Sequence, residues 1–163
     1  MKILLSQYAS YHIWANQLLI DRIQKLPAEL KNKVVLSSFS GLEKTLLHMW
    51  DAESMWWQRM KLQEQVTRPS DGFSGDIENI IKELTSQSKQ WQQWINISQE
   101  HIMDHEFIYS NTKKERFKQT IYQMLLHLFN HGTYHRGQLV TILRQLGVTD
   151  IPATDFIVWS RKK

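Results

Sequence analysis

Between Ile3 and Leu26 the apolar side chains Leu4, Leu5, Tyr8, Tyr11, Ala15, Leu18, Leu19 and Ile23 recur at helical spacing, and Pro27 closes the run. A stripe of that period predicts a first helix. A second pattern opens at Ser40-Gly41-Leu42-Glu43, where serine and glutamate at a three-residue offset match a capping box, and it runs to about Leu62. After a loop containing Arg68-Pro69-Ser70-Asp71-Gly72, a third segment begins near Asp76. It sets Ile77, Ile80, Ile81, Leu84, Trp91, Trp94 and Ile95 against a polar opposite face. The fourth starts after Thr120, where Thr120 and Gln123 repeat the capping pattern, and ends at Gly147, a natural left-handed terminator.

Between the third and fourth segments, Glu106-Phe107-Ile108-Tyr109 and Glu115-Arg116-Phe117-Lys118 flank the polar Ser110-Asn111-Thr112-Lys113-Lys114, which reads as a small hairpin. The end of the chain carries Ile151-Pro152 and the apolar Phe156-Ile157-Val158-Trp159. The expected fold is therefore all-α: an antiparallel four-helix bundle with a small hairpin before the fourth helix and a C-terminal tail packed on the bundle. One domain over residues 1–163 is expected, because a chain of this length buries one core without staples.

Composition narrows the chemistry. There is no cysteine, which removes disulfides, thiolate metal sites and an internal thiol nucleophile, and leaves histidine and carboxylate. The 20 Lys and Arg against 16 Asp and Glu are mostly interleaved, and the basic end Ser160-Arg161-Lys162-Lys163 reads as a solvated tail, so no nucleic-acid partner is expected. No apolar run approaches the roughly 18 residues of a membrane helix, and the start lacks a signal-peptide pattern, so a cytoplasmic protein with no membrane partner is expected. The seven tryptophans are assigned to the core or a subunit interface.

The most informative stretch is LLHLFNHGTYHRGQ from Leu125 to Gln138, which places His127, His131 and His135 at intervals of four. Residues four apart on a helix differ by roughly 40° in azimuth, so His131 and His135 can turn their rings toward one ion; the same spacing is also met in pairs of surface or structurally satisfied rings. Gly132 follows His131, so the general base of the His-Glu-x-x-His proteases is missing. A catalytic zinc usually takes three protein ligands, so a third must come from elsewhere. His48, within the otherwise apolar LLHMWDAESMWW, is the best candidate from another helix. Three imidazoles suit zinc, nickel, copper or ferrous iron better than magnesium or calcium. His127 is read as an outer partner or a core ring bonded to a carbonyl, although a ligand role is also open to it. His12 could approach the site from the first helix, whereas His101 and His105 have no such company. Gly132 and Gly137, each costing about 1 kcal/mol inside a helix, imply that something approaches the backbone closely. Arg136 and Gln138 point away from the two ligands and are expected in a salt bridge or a helix contact. No catalytic residue is assigned beyond the ligands.

Taken together, these tracts resemble the DinB-like (DinB/YfiT) superfamily over nearly the whole chain. Tyr11-His12-Ile13-Trp14-Ala15-Asn16 resembles the family's first-helix signature. The segment from Ser40 to His48, followed by Glu53 and Trp57, resembles its second-helix histidine segment, and Asn130 to Gln138 its most distinctive tract. The resemblance implies a four-helix bundle, commonly a homodimer, whose three histidines bind a divalent transition metal such as zinc or nickel; carried over, these are His48, His131 and His135. Relatives of this kind include S-transferases and isomerases that use a low-molecular-weight thiol, and hydrolases. The implied function is a metal-dependent enzyme of S-transferase or hydrolase type, with a thiol and an electrophilic small molecule as partners. The competing reading is a non-catalytic, stress-associated metal-binding dimer.

Overall fold

The computed structural model describes residues 1–161; Lys162 and Lys163, half of the basic end, lie outside the described residues. The four periodic segments become α1 (Lys2–Gln24), α3 (Leu42–Met60), α4 (Ile77–Ile97) and α5 (Ile121–Gln145). A one-turn helix, α2 (Ala28–Lys31), follows Pro27 and is too short to leave a periodic trace. The hairpin forms as β1 (Glu106–Ser110) and β2 (Arg116–Thr120), antiparallel, with Tyr109 opposite Phe117. The tail ends in α6 (Phe156–Ser160) and packs on α1, where the Tyr11 hydroxyl donates to the Thr154 carbonyl at 2.8 Å and the Tyr11 and Phe156 rings meet edge-on.

Helix ends follow local chemistry, with one correction. The Ser40–Glu43 box does not form: the residue before the first turn is Gly41, and its N-cap position carries no side-chain hydrogen bond. Gly41 has φ +133°, and a Cβ there would lie 2.8 Å from the Lys33 carbonyl oxygen, so the tight entry into α3 needs glycine where the box would need serine. A true box caps α4 instead, where Asn79 N–H donates to the Asp76 carboxylate at 2.9 Å and Asp76 N–H donates to Asn79 Oδ1 at 3.2 Å. At α5 the Gln123 half of the expected pattern is present, its Oε1 accepting from Thr120 N–H. Gly147, at φ +83°, ends α5 as expected, with Gly147 N–H to Arg144 O and Val148 N–H to Leu143 O, both 3.0 Å.

The four long helices pack in the cyclic order α1, α4, α3, α5. Gln24 reaches Glu78 while Ser6 reaches Asn96, so α1 and α4 are antiparallel. His48 meets His131 while Trp56 meets His127, so α3 and α5 are antiparallel too. The other two neighbouring pairs run parallel: Glu53 meets Ser88 and Trp57 meets Trp91 between α3 and α4, and Tyr8 meets Phe129 and His12 meets Arg136 between α1 and α5. The parallel α3–α4 pair requires residues 61–76 to return the full length of the bundle. Thr67 is tied to Gln58, Ser70 to Asp51, and the Phe73 ring to Trp50 along that path.

The core is two apolar lobes. One gathers Leu19, Ile23, Leu42, Leu46, Ile80, Leu84 and Leu143; the other gathers Leu5, Trp91, Ile95, Met124, Leu125 and Phe129. Each fully buried Leu or Ile contributes about 1.5–3 kcal/mol. Between the lobes lies a polar layer formed by His12 and Asn16 of α1, Glu53 of α3, Ser88 of α4 and His135 and Arg136 of α5, all buried. No helix of the described residues is long and apolar enough to cross a membrane.

Candidate metal centre

The antiparallel contact of α3 with α5 brings His48 against the ring pair supplied by one turn of α5. His131 Nε2 lies 3.0 Å from His135 Nε2 and 3.3 Å from His48 Nε2, and one ligating atom from each of the three residues falls within 4.8 Å of the others. Two nitrogens each bonded to one zinc at 2.0–2.1 Å and a tetrahedral angle stand about 3.3 Å apart. The donor set and these spacings therefore fit a divalent transition ion held by three imidazoles.

The surroundings orient the rings. Gln138 Oε1, which can only accept, lies 2.7 Å from His135 Nδ1, so that nitrogen carries the proton and Nε2 presents its lone pair. The Gln138 amide nitrogen donates in turn to the Ser38 hydroxyl at 3.1 Å. Phe39 stacks on His48 with centroids 4.2 Å apart. Burial, followed by the neighbouring rings of His135 and His48, lowers the His131 pKa to about 3. Burial also lowers His48, with His135 adding to it and Asp51 opposing, and lowers His135 against the opposing bond to Gln138. All three are held toward the neutral form that ligation requires.

The remaining sequence candidates go elsewhere. His12 belongs to a separate buried network. The Arg136 guanidinium donates to its Nδ1 at 3.2 Å, which puts the ring proton on Nε2, 2.9 Å from Glu53 Oε1. Ser88 donates to the same carboxylate at 2.9 Å, and Asn16 Oδ1 and Thr133 Oγ1 accept from Arg136 at 3.0 and 2.7 Å. Arg136 thus makes a buried helix contact, as expected. Gln138 instead bonds His135 on its own helix and Ser38 in the loop before α3. Gly132 is explained by His12: a Cβ at 132 would lie 2.3 Å from His12 Cε1. At Gly137 the close-approach argument fails, because nothing lies within 4 Å of its would-be Cβ.

His127 is neither an outer partner nor a carbonyl-bonded core ring; it is exposed, edge-on to Trp56, with its centroid 5.9 Å from His131. Asp51 is engaged by Ser70 through its backbone N–H and its hydroxyl, at 2.9 and 2.6 Å. His101 and His105 face one another at 5.3 Å on the exposed surface. Sequence reasoning missed Phe39, Ser38 and the orienting role of Gln138, of which only the three-residue offset from His135 to Gln138 left a usable signal.

A profile of the DinB family matches residues 1–161. Protein DinB of Bacillus subtilis (strain 168) is 26% identical over 156 residues, covering 90% of this chain and 87% of that protein. The crystal structure of a DinB-like protein, YjoA, from Bacillus subtilis superimposes with a TM-score of 0.67 at 17% identity, over 91% of this chain and 97% of that one. At that identity the second likeness is one of fold.

Proposed function

The chain belongs to the DinB family, and from that premise we propose that it is a metal-dependent enzyme of thiol S-transferase or hydrolase type, with His48, His131 and His135 holding a zinc or nickel ion. The observation that carries this reading is the convergence of three Nε2 atoms at separations of 3.0 and 3.3 Å, with no carboxylate among them. A divalent ion bound there supplies Lewis acidity, which lowers the pKa of an approaching thiol or water toward neutrality. The chain's own residues prepare that chemistry. Gln138 fixes the His135 tautomer, Phe39 holds the His48 ring, and burial keeps His131 unprotonated. The donor count leaves a tetrahedral ion one position for substrate.

A homodimer is part of the proposal. Leu4 and Leu126 are exposed beside Tyr8, and Phe156 and Ile157 extend the same apolar face onto α6, which supports self-association in a cytoplasmic protein.

The test is elemental analysis of untagged protein together with a thiol-transfer assay using a small thiol and an electrophile. One ion per chain and transfer that requires both thiol and metal, each lost in His135→Ala, is the expected result. A full complement of metal with no turnover in transfer or hydrolysis would favour the non-catalytic metal-binding dimer.

A further inference from the structure

At the far end of α3 from the imidazoles, a cavity of about 660 Å³ opens between the helix terminus and the β-hairpin. Its lining includes the apolar Met55, Leu62 and Ile108 and the basic Lys114 and Arg116. Arg59 enters from α3 with its guanidinium 4.7 Å from the Trp56 ring centroid and 5.8 Å from that of Tyr109. The Arg59 Nε is buried and has no hydrogen-bond partner. No carboxylate pairs with the group among the described residues; the one acid lining the cavity is Glu64. Arg59 is a half-buried cation held by two rings with no acid paired to it among the described residues, and an anion in the cavity would give its guanidinium an acceptor.

A second observation concerns the backbone at the same place. Among the described residues, the non-glycine residues with positive φ are Leu62 at 54° and Lys114 at 63°, and both line this cavity. Leu62 occupies the left-handed position just past α3, and Lys114 the corresponding position in the hairpin turn, where Lys114 N–H bonds Asn111 O. Glycine suits both positions better, and the Leu62 side chain, 66% exposed, gains little packing in return. Left-handed residues that packing does not repay concentrate at ligand sites.

We propose that this cavity is a binding site for a small organic anion, a carboxylate or phosphate on an apolar body, with Arg59 as the principal anchor, Arg116 and Lys114 as further cations, and Leu62 and Ile108 against the apolar part. The site lies eleven residues along α3 from His48, about 16 Å at the helical rise, and does not depend on metal at the imidazoles.

The experiment titrates benzoate and phenyl phosphate, with benzyl alcohol as the neutral probe, into the full-length protein, followed by amide chemical shifts. Shifts centred on Leu62, Tyr109 and Lys114, with the anions binding about tenfold or more tighter than the alcohol, are expected. Arg59→Met, which keeps the apolar stem, removes that preference; Arg116→Gln, at an exposed strand position, weakens the anions alone and carries the test should Arg59→Met fold poorly. His131→Ala leaves binding unchanged, so failure of the metal reading would be seen separately. Equal affinity for neutral and anionic probes, shifts centred elsewhere, or wild-type anion binding by the folded arginine variants overturns the proposal.

Discussion

His12 and the trio of His48, His131 and His135 are both set between facing helices of this bundle, and they are built on opposite terms. His12 sits in a buried network: its Nδ1 accepts from Arg136, its Nε2 donates to Glu53, Ser88 bonds Glu53 and Asn16 Oδ1 accepts from Arg136, whose Nε alone is left without a partner. His48, His131 and His135 point nitrogen at nitrogen, and among the described residues only His135 has a hydrogen-bond partner outside the trio. Both groups are formed by side chains from facing helices. What separates them is whether the ring nitrogens meet a carboxylate and a guanidinium or one another. The first arrangement is tied into the fold by charged and polar partners, and the second is a donor set that could hold a metal ion.

The largest effect that would break this contrast is on stability. Glu53→Ala strands a buried imidazole and the Ser88 hydroxyl, and should cost about 3–5 kcal/mol in denaturant unfolding while leaving metal stoichiometry near one per folded chain. A mild loss of stability accompanied by loss of metal would mean that the two groups are one site.

Next in size is His131→Leu, expected to lower metal affinity by more than about 100-fold, beyond the range of outer-shell changes. Because it puts an apolar side chain in place of a partly buried polar ring, its metal-free thermal midpoint should equal or exceed that of the unmodified chain; a large fall would show that the trio is structural.

A further effect comes from acid. His131 protonates near pH 6.5 when unfolded and at about 3 when folded. Between those values the unfolded chain binds more protons, so stability contributed by neutral His131 is complete above the unfolded value and is lost as pH falls toward the folded one. Metal-free melts taken from pH 7 down to about 4 should decline, and His131→Leu should flatten that slope. Superimposable slopes in the two proteins would remove His131 as its source.

How much of this was legible in the sequence depends on whether a feature is local. The four long helices and the hairpin were, because each carries its own periodicity, and so was the left-handed ending at Gly147. The one-turn α2 and the true start of α3 were not, since Gly41 is dictated by the Lys33 carbonyl, which the local pattern cannot see. At the site, the His131–His135 pair is a property of one helix and could be read directly, while His48 was reached because an imidazole stood out in an apolar tract. The role of His12 required knowing that α1 lies against α5, and the fate of Gly132 followed from the same contact. Gly137 carried the same local signal as Gly132 and proved to face open space.

The strap of residues 61–76 has a kinetic consequence. In the cyclic order α1, α4, α3, α5, consecutive long helices that run antiparallel, α1 with α3 and α4 with α5, stand diagonally across the bundle, so the chain has no simple helical hairpin with which to begin folding. Each antiparallel contact must join segments distant in sequence, after the entropy of closing a long loop has been met. Refolding should therefore be slower than in an up-and-down bundle of equal length. The three imidazoles, contributed by α3 and α5, come together only when the last long helix docks.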